Sequence, residues 1–247
     1  MPSSSEDRSI LARAASAPTS SMSYGPHRDQ VIDEWLPSTS GEVTVMLLHG
    51  GFWDQEYDRS HCRPLAAALA ARGVRVLLPE YRRVRGAGGW PATFDDVQAA
   101  GQGISMTSTG RLVLVGHSAG GQLALWLAAA HPPAGLAAVL ALAPVADLAG
   151  AARLRLGDGA VERLMGGSPA AEPERYAAVD PMRLPATQVP VAIMHGSADS
   201  VVPLVMSRSY AHAHPQVKLL VHSSGHFELI DPLSKHFEAL LDFVLGK

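Results

Sequence analysis

Five residues, Gly116-His117-Ser118-Ala119-Gly120, set one serine between glycines where an apolar run, Leu112–Val115, gives way to an alanine-rich segment. Glycine inside a helix costs about 1 kcal/mol relative to alanine, so glycines at this junction call for a reason. The pattern G-x-S-x-G between a strand and a helix describes a sharp turn that presents a serine hydroxyl. Glycine two places to either side leaves room for the strained backbone such a turn requires. A helix beginning at Ala119 turns free N–H groups and its positive dipole end toward a developing oxyanion. The chemistry this suits is nucleophilic attack on a carbonyl.

A serine hydroxyl is a weak nucleophile until a base, itself held by an acid, takes its proton. The stretch "HGSADSVVP" puts Asp199 on the loop after the apolar run Val189–Met194, and "HSSGHFELIDP" puts His226 on the loop after Val217–Val221. The order serine, acid, histidine suits an open α/β sheet, and all three then lie at one sheet edge. Asp147, just past the run Ala137–Leu142, is the rival acid. His222 competes with His226 but abuts a strand end, which suits a packed residue. Glu228 and Asp231 lie too close to His226 in sequence for the role. His49, His117 and His195 flank the functional loops and are read as holding backbone.

An oxyanion needs a second donor opposite the serine turn. "VTVMLLHGGFW" ends a strand in a Gly-Gly loop, so the N–H groups of Gly51, Phe52 and Ala119 are the expected donors, and Trp53 and His117 are candidate pocket walls. The alternative is a plain glycine turn, which the paired order of the two motifs disfavours.

These residues need a scaffold. Continuous Val- and Leu-rich runs at 43–48, 74–78, 112–115, 137–142, 189–194 and 217–221 read as strands covered on both faces. Helix-like segments lie between them at 64–72, 94–103, 122–131, 204–214 and 232–245, so the expected fold class is α/β: a mostly parallel central sheet with helices on both faces. Residues 148–187 are too long for an ordinary connection and are expected to form a short cap insertion that shapes the pocket. Residues 1–22, rich in Ser, Ala and Pro, are expected to be a flexible leader ahead of one domain spanning 23–247.

A chain of 247 residues, 47% hydrophobic and 17% charged with net charge −3, is long enough for a sizeable core and has no basic field for nucleic acid or anionic membrane. No run approaches the ~18 apolar residues of a membrane span. The one cysteine, Cys62, reads as a packed small hydrophobe and suits a reducing, cytoplasmic setting. The histidines lack metal-ligand spacing, and neither metal nor cofactor is expected.

Together "HGGFW", "GHSAGG", "HGSADSVVP" and "GHFELIDP" resemble the α/β-hydrolase serine hydrolases of the arylformamidase (kynurenine formamidase) and small carboxylesterase branch. "YGPHRDQVIDEWLP" is similar to the opening segment of those enzymes, and "PEYRRV" and "WPATFDDV" sit where the family has its second crossover and a helix start. The resemblance runs from Tyr24 to the C-terminus. It implies Ser118 as nucleophile, Asp199 as orienting acid and His226 as base, with Gly51, Phe52 and Ala119 around the oxyanion. Where formamidases often carry tyrosine after the two glycines, this chain has Phe52. The implied activity is cleavage of a small acyl group from an amide or ester through an acyl-enzyme, with an N-formylkynurenine-type substrate first and a short-chain carboxylesterase or deacetylase as the alternative. A non-catalytic ligand-binding protein on the same scaffold is the reading from another class. The expected partner is a small molecule, and a homodimer is compatible with it.

Overall fold

The computed structural model describes residues 6–38 and 41–247. One sheet takes eight strands in the order β1-β2-β4-β3-β5-β6-β7-β8. They are β1 (Ser20–Ser23), β2 (Val31–Trp35), β3 (Val43–Leu48), β4 (Arg75–Pro79), β5 (Arg111–His117), β6 (Leu136–Leu142), β7 (Val191–Gly196) and β8 (Lys218–His222). β2 runs antiparallel to both β1 and β4, and every pair from β4 across to β8 is parallel. The helices are α1 (Arg63–Ala71), α2 (Ala92–Thr107), α3 (Ala119–Ala130), α4 (Leu148–Arg153), α5 (Leu156–Met165), α6 (Pro173–Val179), α7 (Val205–Ala213) and α8 (Phe237–Leu245).

The continuous apolar runs follow from burial on both faces. Side chains alternate across a strand, and here both sets meet a core. Met46, Leu48, Leu112, Leu114 and Val139 pack with Phe94, Leu123, Trp126 and Met206 of α2, α3 and α7. Val45, Leu47, Val113, Val115 and Leu140 pack with Leu65, Leu69, Leu240 and Leu241 of α1 and α8. This rigid stack fixes the C-terminal ends of β3, β5, β7 and β8, from which the loops of interest depart.

Between β6 and β7 the chain inserts α4, α5 and α6. Asp147 caps α4 by accepting the Gly150 N–H at 2.6 Å, and Asp180 accepts the N–H groups of Leu148 and Ala149, each at 3.0 Å. The second carboxylate thereby ties the end of the insertion to its start. Asp147, the rival acid, is thus a helix cap.

Where the structure describes the segment expected to be a flexible leader, it makes contacts with the domain. Ser9–Ala12 forms a 3-10 turn that buries Ile10 at 2% exposure, and β1 pairs with β2 from Ser20↔Glu34 to Ser23↔Val31. Arg13 pairs with Asp231. Ile10 has an apolar site under the C-terminal elements, and that burial outweighs the flexible composition around it. The part of the expectation falling on residues 1–5 lies outside the described residues.

Candidate active site

β5 ends in the buried pair Gly116-His117, and Ser118 follows with φ 57° and ψ −117° before α3 begins at Ala119. A non-glycine residue at positive φ is strained and persists only where its surroundings enforce it. Here the glycines are the enforcement. A Cβ at Gly116 would meet the Gly120 carbonyl oxygen at 2.2 Å, and one at Gly120 would meet the Leu48 and His49 carbonyl oxygens at 2.1 and 2.5 Å. The turn therefore packs main chain on main chain against the end of β3.

The loop after β3 is equally constrained. Gly51, Phe52 and Trp53 have φ of 108°, 55° and 54°. His49 is held from both ring nitrogens, by the Gly50 carbonyl oxygen and by the Glu80 carboxylate, each at 2.8 Å. Its ring stacks on Tyr81 with centroids 4.4 Å apart, and the Tyr81 hydroxyl donates to the His49 carbonyl. Burial opposes the charge on Glu80, but the His49 imidazole, the Arg83 guanidinium and the Tyr81 N–H outweigh it and hold the carboxyl below its usual range. Among the described residues, the N–H groups of Gly51, Phe52 and Ala119 have no hydrogen-bond partner.

Asp199, on the loop after β7, accepts from His226 Nδ1 at 2.6 Å with one oxygen. With the other it accepts from the N–H groups of Val201 and Val202 at 2.9 and 2.8 Å. His195 braces the same loop through Ser207 Oγ at 2.7 Å and the Val202 carbonyl at 2.9 Å, with its Nε2 3.3 Å from Asp199. Burial alone would raise the Asp199 carboxyl. The bonds from His195 and His226, with the Val202 N–H, reverse that and hold it well below the usual carboxylate range. An anionic partner on Nδ1 keeps that proton in place and leaves Nε2 as the ring's lone-pair nitrogen.

One pocket brings these loops together; Ser118, His117, His226, Gly51 and Phe52 all line it. Its remaining wall is made by Arg8, Leu11, Tyr57, His61, Val201 and Phe227. His117 is fully enclosed, and its Nε2 donates to the His226 carbonyl at 3.1 Å. Burial, then the neighbouring His226, drives its basicity far down, so it stays neutral. His222 instead packs its ring on His236 at 4.5 Å, away from Asp199.

Trp53 departs from expectation. Its ring is 1% exposed in the core, with Nε1 donating to Gln122 Oε1 at 3.2 Å, and it does not line the pocket. Of the two adjacent aromatics, Phe52 alone lines the wall. Nor does the insertion supply lining; it backs the wall, with a Cβ at Gly157 meeting the Phe52 ring at 2.4 Å. The wall from Arg8 and Leu11 went unread because their segment carries the composition of a leader. Glu80 had a signal: a carboxylate directly after an apolar strand must find partners. Cys62 is fully buried, with its thiol pushed up to about 12 by burial, as a packed residue should be. Among the described residues no three His, Cys, Asp or Glu side chains gather as metal ligands, and no helix is long and apolar enough to cross a membrane.

A mostly parallel eight-stranded sheet, one antiparallel strand near its edge, and a strained serine turn between β5 and α3 define an α/β-hydrolase fold. Solved structures agree. A carbohydrate esterase from gut microbiota superposes with TM-score 0.80 at 18% identity, covering 94% of this chain and 99% of that one. Esterase B from Lactobacillus rhamnosis superposes with TM-score 0.77 at 20% identity, covering 97% and 89%. An uncharacterised protein of Mycobacterium tuberculosis (strain H37Rv) is 28% identical over 239 aligned residues, 88% of this chain and 79% of that protein. The family model described as BD-FAE matches residues 32–213, and the chain belongs to that family.

Proposed function

We propose that this protein is a serine carboxylesterase that removes short acyl groups, acetyl among them, from alcohols. One observation carries the reading: Ser118, held in a strained turn, lines a pocket with His226, whose Nδ1 lies 2.6 Å from the buried Asp199 carboxylate. His226 Nε2 takes the Ser118 proton as Oγ attacks the ester carbonyl. The oxyanion that forms is held by the N–H groups of Ala119 and of Phe52 or Gly51. His226 then protonates the departing alkoxide, and water repeats the steps on the acyl-enzyme to release acid and free serine. Removing one oxyanion donor of this kind typically costs about 3 kcal/mol of transition-state stabilisation.

The ester reading stands ahead of the formamide one for a steric reason. Preference for a formyl group rests on Phe52 and Trp53 together crowding the acyl side, and Trp53 is turned into the core. The esterase names of the structural neighbours support the same choice. A reducing, cytoplasmic setting suits the single buried Cys62. Turnover of p-nitrophenyl acetate, p-nitrophenyl butyrate, an acetylated xylose and N-formylkynurenine, side by side with Ser118→Ala, tests the proposal. Ester turnover abolished by the substitution is expected. Efficient cleavage of the formamide with none of the esters overturns it.

A further inference from the structure

Glu6 joins the two loops that supply Asp199 and His226. Its Oε2 accepts from the main-chain N–H of His226 at 2.8 Å. Its Oε1 accepts from the N–H of Ser200 at 2.8 Å and from the Ser200 hydroxyl at 3.2 Å. One carboxylate therefore bonds to the residue that carries the imidazole and to the residue directly after Asp199. The loop is shaped for it: a Cβ at Gly225 would meet Glu6 Oε2 at 2.2 Å.

The segment bearing Glu6 is itself anchored. Ile10 is buried in the core that also takes α1 and α8, the Arg8 guanidinium sits 5.5 Å over the Phe227 ring, and Arg13 pairs with Asp231. Each anchor grips the stretch after His226 or the core under it. The bond between Asp199 and His226 spans two loops departing from different strands, and the main-chain bonds that tie those loops reach only Ala198 and Ser224. Glu6 extends the tie to His226 and Ser200 themselves.

We infer that Glu6 is a positioning residue that holds the Asp199 and His226 loops in register, making the N-terminal segment a working part of the site. The inference deepens the esterase reading, and its test separates the two. In Glu6→Ala, kcat for p-nitrophenyl acetate is expected to fall roughly tenfold with KM within about twofold, because the change misaligns the base without touching the ester-binding wall. Glu6→Gln keeps one acceptor oxygen and should recover part of the loss, and the melting temperature of both variants should stay close to wild type.

The second readout needs no turnover. The Nδ1 proton of a histidine bonded to a carboxylate gives a far-downfield proton NMR signal, assigned here by its loss in Asp199→Asn. That signal should broaden or vanish in Glu6→Ala. A wild-type rate and an unchanged signal in folded Glu6→Ala overturn the inference. Absence of ester turnover by the wild-type protein instead defeats the proposed function, and the NMR comparison still decides the role of Glu6.

Discussion

Acid should unfold this protein in a way that reports on a pocket residue. His61 lines the pocket, edge-on to His49 with centroids 5.8 Å apart. Burial first, then the neighbouring His49, lowers its pKa from 6.5 to about 4. For a base depressed in the folded state, the unfolded chain binds a proton that the native state refuses across the window from 6.5 down to about 4. Stability is therefore fully present above that window and falls as pH drops through it. At pH 5 the difference from pH 8 is about 2 kcal/mol for His61 alone. That is a large share of a typical folding stability of about 5–15 kcal/mol. His117 pulls the same way, being lowered by burial, while Asp199, depressed as an acid, adds a loss only below about pH 4. Urea unfolding of wild type and His61→Phe at pH 8 and pH 5 isolates the contribution, since any pH-independent effect of the substitution cancels in the difference. The variant should lose about 2 kcal/mol less than wild type between the two pH values. Equal losses in both proteins refute the placement of a neutral imidazole in the pocket wall.

Four further outcomes follow. Asp199→Asn should lower kcat by orders of magnitude with little change in KM, because an amide no longer fixes the Nδ1 proton of His226; steady-state kinetics checks it. Gly120→Ala should destabilise by about 1–3 kcal/mol or prevent folding, since its methyl lands on the Leu48 and His49 carbonyls; thermal unfolding decides. Trp53→Phe should cost about 1–3 kcal/mol by stranding Gln122 Oε1 while leaving KM for short esters near wild type, as measured by urea unfolding alongside kinetics. Arg8 lines the pocket without a carboxylate partner among the described residues, so a p-nitrophenyl ester with a terminal carboxylate should outrun its neutral isostere, and Arg8→Ala should erase the difference in kcat/KM.

The sheet was legible because its strands are buried on both faces, which forces continuous apolar runs. Val43–Leu48 reads identically in sequence and structure, and β7 begins two residues inside the run at 189–194. The serine turn was legible for a related reason: Gly116 and Gly120 touch main chain, and no other residue type fits there. The direction of individual side chains was not legible. Phe52 and Trp53 are adjacent aromatics, yet one lines the pocket and the other is buried in the core. Ahead of β1, the N-terminal segment was hard to read because its contacts come from a few scattered residues, Glu6, Ile10 and Arg13, with no periodic pattern. Its partners lie some 200 positions away, where local reading has no reach.

Esterase chemistry at this site requires the hydroxyl of Ser118 to be a nucleophile rather than a buried structural group. Reaction of the intact protein with a fluorophosphonate, followed by peptide mass spectrometry, measures this directly. One adduct per chain on Ser118, abolished in Ser118→Ala and strongly slowed in His226→Ala, is the expected result. Folded wild-type protein that stays unmodified, or an adduct on any other residue, contradicts it.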